Sequence, residues 1–255
     1  MIDDGFYCMD CFDGMAQIED KSVDMILCDL PYGTTQCSWD VVIPFEPLWA
    51  ECKRIIKDNG AIVLFGMEPF SSYLRISNIE MFKYDWIWDK VKGTGFLNAK
   101  KQPMRNHEVI SVFYKNQCKY YPQMTENHER KVSLKKRNPP KTEVYGKMDK
   151  VTYYDSTKRY PRSIQVFSTD TRISSIHSTQ KPVALCEYLI KTYTDVGDLV
   201  LDNCAGSCST GIACHNTGRR FIGFEKDKEI FKKANKRLTE HKAQINLFDI
   251  GLKRK

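Results

Sequence analysis

Residues 199–225 read LVLDNCAGSCSTGIACHNTGRRFIGFE. An apolar strand (198–202) ends at Asp202, a turn of small residues follows, and STGIACHNTG (209–218) is a helix closed by Gly218. A second strand, RFIGFE (220–225), ends at Glu225. Strand, helix and strand joined by short connections make a βαβ unit of a parallel sheet. The turn from Gly206 to Gly211 is GxGxxG with its middle glycine replaced by Cys208. Small residues there let backbone approach a ligand closely. An acid at the tip of the next strand can accept both hydroxyls of a ribose, and Glu225 stands 19 residues after Gly206, close to that spacing. Cys208 would crowd a pyrophosphate. A nucleoside cofactor without phosphates, S-adenosylmethionine, is therefore favoured over NAD(P), with tight packing alone as the third reading.

Outward from this unit the same alternation continues. Strands are expected at 6–9, 23–28, 61–66, 82–88 and 108–114, and helices at 12–19, 45–57, 69–79 and 181–194. The 45–57 helix is expected to stop at Asn59-Gly60, and an amphipathic helix follows residue 225. KVKGTGFLNAKKQPMRNH (90–107) reads as a long loop of the functional kind. Residues 115–170 lose clear periodicity and read as an insertion.

The chain's 255 residues suffice for one large domain or a domain with an insertion. The ten cysteines are scattered, several in apolar runs where a reduced thiol acts as a small hydrophobe. The CxxC of Cys8 and Cys11 has no second pair at zinc-ribbon spacing, so no metal site is expected. No apolar run approaches the roughly 18 residues that span a bilayer. MIDDGFY lacks the basic start of a secretion signal, and a cytoplasmic location is the expectation. The formal charge of +7 is uneven: Lys115 to Arg162 holds 13 Lys or Arg against 5 Asp or Glu. Those 48 residues contain all of the excess, interleaved with tyrosines, which suits a polyanion with stackable bases or, alternatively, a solvated basic loop.

The strand VDMILC (23–28) delivers Asp29-Leu30-Pro31-Tyr32 to its carboxyl end, where open α/β sheets bind ligands. A carboxylate in such a place needs hydrogen-bond donors, and an amino group on an aromatic base supplies them. Asp29 and the Leu30 carbonyl, accepting both N–H protons, would free the nitrogen lone pair. Pro31 fixes the turn and Tyr32 offers a face for stacking. The alternative is a Pro-Tyr turn with Asp29 as a cap.

Asp29-Leu-Pro-Tyr32 resembles the Asp-Pro-Pro-Tyr motif of amino-group DNA methyltransferases. Residues 202–211 resemble their Asp-Pro-Phe-Ala-Gly-Ser-Gly cofactor motif, and His177-Ser-Thr-Gln-Lys-Pro182 their His-Pro-Thr-Gln-Lys-Pro segment. The order of motifs is that of the family's beta class. Leu30, Cys204, Cys208 and Ser178 depart from the pattern. The resemblance implies an α/β, Rossmann-like three-layer methyltransferase fold, circularly permuted, with a mostly parallel sheet and an inserted target-recognition region. Residues 1–114 would form the catalytic half, 115–170 the recognition region and 171–255 the cofactor half, with Asp202, Glu225, Asp10 and Asp29 at strand tips along one edge.

It further implies methyl transfer from S-adenosylmethionine, leaving S-adenosylhomocysteine, to the N6 amino group of a flipped adenine in double-stranded DNA. Cytosine N4 is the alternative; the aspartate-first motif resembles the adenine enzymes. No Pro-Cys dipeptide of the C5-cytosine enzymes occurs. Asp29, Leu30, Pro31 and Tyr32 would be catalytic. Asp10, His177, Thr179, Lys181, Asp202, Ala205, Gly206, Ser207, Ser209, Thr210 and Glu225 would hold the cofactor. Arg130, Lys131, Lys135, Lys136 and Arg137 would contact DNA. A bacterial or phage-encoded setting follows, and whether the chain acts alone or as a homodimer stays open.

Overall fold

The computed structural model describes residues 2–34, 37, 40–135, 152–169 and 180–252. They form two compact units: 2–121 with 163–252, and 122–162. The second is narrower than the expected 115–170. Its leading edge belongs to the first unit, where the Asn116 and Tyr121 amides donate to the Asp58 and Thr192 carbonyls.

The first unit is built on an eight-stranded sheet. Its strands in chain order are β1 (Gly5–Cys8), β2 (Val23–Cys28), β3 (Ile56–Gly66), β4 (Phe82–Thr94), β5 (Arg105–Phe113), β8 (Ile164–Val166), β9 (Leu199–Asp202) and β10 (Arg220–Glu225). In space they run β1-β10-β9-β2-β3-β5-β4-β8, with β5 antiparallel to both its neighbours and the remaining pairs parallel. The sheet is thus mostly parallel, and chain order is permuted relative to spatial order as the motif order implies.

Both faces are covered, which is why β2 reads as unbroken apolar sequence and is buried throughout. Val23, Ile26 and Cys28 pack on one face with α1 (Cys11–Met15), α2 (Phe45–Ile55) and α3 (Phe70–Ser77). Met25 and Leu27 pack on the other with α4 (Val183–Tyr193) and α5 (Ser209–Thr217). The final helix, α6 (Lys228–Leu252), closes a smaller cluster of Cys208, Ile212, Ala234 and Leu238. Among the described residues no helix is long and apolar enough to cross a membrane.

Two local expectations are corrected. Asn59-Gly60 does not end α2; the helix stops at Ile55 and β3 begins at once. Partners of Val23 and Met25 are Ile56 and Ala61, so the Asn-Gly pair sits in a bulge. A side chain at Gly60 would lie 2.8 Å from the Asp24 carbonyl oxygen, so the bulge requires glycine. The expected loop 90–107 is instead mostly the distal part of a hairpin. Strand β4 continues to Thr94, a 3-10 turn covers Phe96–Asn98, and β5 starts at Arg105.

The second unit carries a two-stranded antiparallel ribbon, β6 (Lys131–Lys135) with β7 (Thr152–Ser156).

Candidate active site

The carboxyl ends of four adjacent strands bring four acids together. Asp10 follows β1, Glu225 ends β10, Asp202 ends β9 and Asp29 follows β2. All four line one cavity of about 770 Å³, with Leu30, Pro31, Tyr32, Lys181, Ala205, Gly206, Ser207, Ser209 and Thr210 also in its wall. Residues far apart in the chain meet because a parallel sheet sets its strand ends side by side.

At one end, Asp29 is held from two sides. The Tyr32 hydroxyl donates to Oδ1 at 2.6 Å, and Lys181 Nζ donates to Oδ2 at 2.5 Å. Lys181 is buried and also lies 3.2 Å from Glu108 Oε2, while Lys90 pairs with Glu108 Oε1. Two carboxylates and two ammonium groups thus form an alternating chain. Burial pushes the Asp29 pKa above the usual carboxylate range; Lys181 opposes that and Glu108 adds to it. Burial also works against Glu108, but Lys181 and Lys90 outweigh it and hold its pKa low. Lys181 is desolvated as well, yet Asp29 and Glu108 hold it firmly protonated. Tyr32 has its pKa raised by burial and by Asp29, so it stays a donor. Its ring lies 5.0 Å from that of Phe70, tilted by 34°. Just beyond, the Gly33 and Thr34 amides both donate to the buried Asp40 carboxylate, at 2.8 Å each.

At the other end, Glu225 accepts from the Gly206 amide (3.1 Å) on one oxygen and the Asp227 amide (2.8 Å) on the other. Each oxygen keeps a lone pair for a hydroxyl. Burial raises its pKa, and the two amides pull against that. Asp202 is buried and pushed up to about 7 by desolvation, against the Thr210 hydroxyl and the Cys204 amide. Asp10 caps α1 by accepting from the Phe12 amide at 2.9 Å. Two further wall residues, Asn203 and Gln180, present buried amide oxygens that have no donor among the described residues. The cavity therefore offers carboxylates for hydroxyls and spare acceptors for a cationic or N–H-bearing ligand.

Cys208 does not crowd this space. It takes the left-handed backbone conformation (φ 60°) usual for glycine, and its thiol is buried against Ile212, Ala234 and Leu238. Lys181, expected among the cofactor residues, lines the cavity and bonds Asp29. His177 and Thr179 lie outside the described residues, as do Lys136 and Arg137. In the second unit Arg130 makes a two-point ion pair with Asp155 (2.8 and 2.6 Å), so its guanidinium is already engaged. Lys131 opens β6 and is exposed; Lys135 closes it, with its side chain outside the description. Glu108, Lys90 and Asp40 went unread in the sequence, although an acid opening the apolar run EVISVFY was a signal.

A family model described as DNA methylase, for N6 and N4 methyltransferases, matches residues 23–236. The type II methyltransferase M1.MboII of Moraxella bovis is 29% identical over 89% of this chain and 93% of its own length. The DNA adenine methyltransferase YhdJ of Escherichia coli is 26% identical over 88% of this chain and 79% of its own. Among solved structures, the M1.HpyAVI–SAM complex superposes with a TM-score of 0.60 at 25% identity, covering 91% of this chain and 98% of that one.

Proposed function

The chain belongs to the N6/N4 DNA methylase family, and we propose that it transfers a methyl group from S-adenosylmethionine to the N6 amino group of adenine in double-stranded DNA. The observation that carries this reading is the single cavity shared by Asp29–Tyr32 and Asp202–Glu225. One end suits an aromatic amino group and the other a nucleoside, within reach of each other.

S-Adenosylmethionine supplies the electrophilic methyl group. Glu225 would hold the ribose hydroxyls, the small turn Ala205–Ser207 would admit the nucleoside, and Asp202 with Asn203 would face the cationic amino acid portion. A paired adenine cannot present N6, so the base must leave the helix to reach Asp29. Asp29 then accepts one amino N–H and the Leu30 carbonyl the other, which localises the nitrogen lone pair toward the methyl donor. Positioning and local charge, with no covalent enzyme intermediate, lower the barrier. As nitrogen gains its fourth bond it becomes cationic beside the Asp29 carboxylate. The raised pKa of Asp29 suits it to take the released proton. Lys181 fixes the carboxylate's orientation through Oδ2 while Tyr32 fixes Oδ1.

The basic unit 122–162 would supply phosphate contacts through Lys131 and its neighbours. Arg130 would join them only by exchanging Asp155 for phosphate.

The test is to incubate the protein with DNA and tritiated S-adenosylmethionine, then digest the DNA to nucleosides. Label in N6-methyladenine is expected. Label in N4-methylcytosine would replace the adenine reading with the cytosine one, and no label in DNA would remove both.

A further inference from the structure

The distal half of the β4–β5 hairpin takes no part in the chemistry above, yet it rises from the cavity wall. Lys92, Gly93 and Thr94 line the cavity that holds Asp29 and Tyr32. Just before them the ladder shifts register between Asp89 and Thr94, and Val91 is forced to φ 68°. A β-branched residue in that conformation marks a bulge that re-aims a strand. Beyond the bulge, Gly95 (φ 88°) starts the 3-10 turn that presents Phe96 and Leu97 at the tip.

Those two side chains are almost wholly in water, Phe96 at 78% and Leu97 at 97% exposure. A lone exposed leucine is ordinary, but here it adjoins a phenylalanine on a protruding turn. Burying apolar side chains is favourable, so the turn holds an apolar surface ready for a partner. The surroundings define that partner. Between Asp89 and Glu108 the chain carries five basic residues and no acid. Among the described residues Lys92, Lys100 and Lys101 have no ion-pair partner. An apolar point between unpaired cations, within about 10 Å of chain from the cavity wall, matches the geometry of a nucleic-acid duplex: phosphates outside, stacked bases within.

We propose that Phe96 and Leu97 form a wedge that enters the base stack of the DNA where the target base leaves it, with Lys92, Lys100 and Lys101 on the flanking phosphates. Apolar side chains inserted at a base step offset the unstacking that base flipping requires. The proposal rests on the reading of the cavity as a site for a flipped base.

The experiment compares the full-length wild type with the Phe96→Ser/Leu97→Ser variant in single-turnover methylation. One substrate is a fully paired duplex; the other has the target base opposite an abasic site, where unpairing costs less. The variant is expected to lose on the order of ten-fold or more on the paired duplex and much less on the abasic one, because the wedge acts on extrusion. Its affinity for S-adenosylmethionine and its thermal midpoint should match wild type, and Phe96→Leu/Leu97→Met should restore the paired rate. Equal losses on both substrates, or none on the paired duplex, would overturn the wedge. So would a shift from dimer to monomer in sedimentation, which would assign the tip to a second copy of the chain. A wild type that methylates neither substrate would instead overturn the function proposed for the cavity.

Discussion

Lys181 Nζ lies 2.5 Å from Asp29 Oδ2, although 152 residues separate them in the chain. The ammonium also touches Glu108, so one buried cation is shared between the two carboxylates. The state of Asp29 is therefore set in part by residues outside the Asp29–Tyr32 stretch.

Opposite substitutions should move the acid limb of the rate profile in opposite directions. In the proposed reaction Asp29 accepts the amino proton and so must be ionised; with its pKa raised, activity should fall as pH drops toward a value above the usual carboxylate range. Lys181→Met removes the opposing charge and should move that limb to higher pH. It should also cost about 3–5 kcal/mol of stability, because buried carboxylates lose their partner. Glu108→Gln removes a like charge and should move the limb to lower pH. A single-turnover rate measured from pH 5 to 9 checks both; identical limbs in the two variants would disconnect Lys181 and Glu108 from Asp29.

Tyr32 combines two separable duties. Its hydroxyl stabilises ionised Asp29, and its ring forms part of the cavity wall. Tyr32→Phe removes a hydrogen bond that favours ionised Asp29 and should shift the acid limb upward, while DNA affinity holds. Tyr32→Ala should weaken DNA binding and the rate together. Equilibrium binding set beside the rate profile separates the two outcomes.

Asp202 gives the cofactor end its own pH signature. Burial raises its pKa to about 7 in the folded protein, so folding favours the protonated form. That contribution to stability is fully present below the unfolded value near 4 and is lost as pH rises through about 7. A ligand with cationic groups beside Asp202 favours the ionised form instead. Affinity for S-adenosylmethionine should then climb with pH below 7, by at most about ten-fold per unit. Asp202→Asn should flatten the profile, as calorimetric titration at pH 6 and 8 would show.

Much of this site was legible in the chain because it depends on strand ends. Asp29, Asp202 and Glu225 each close an apolar run, and runs of that kind become neighbours in a parallel sheet whatever their order in sequence. What could not be read was pairing across the sheet. Glu108 lies inside β5, and only the antiparallel placement of β5 beside β3 sets it near Lys181. Asn59-Gly60 misled for a related reason: the pair is a strong local turn signal, but here it lies in a bulge within a strand. Lys90 to His107 looked like a loop because its lysines and glycines carry no period, whereas the hairpin there is imposed by the β4–β5 ladder. Cys208 looked obstructive until its positive φ sent the thiol into the core.

In the proposed reaction, methyl transfer to adenine depends on Asp29. The most direct measurement is single-turnover transfer of tritiated methyl by Asp29→Ala, with wild-type protein alongside and S-adenosylmethionine binding confirmed for both. Wild type should yield N6-methyladenine and the variant none above background. N6-methyladenine appearing at a comparable rate with Asp29→Ala would remove Asp29 from the reaction.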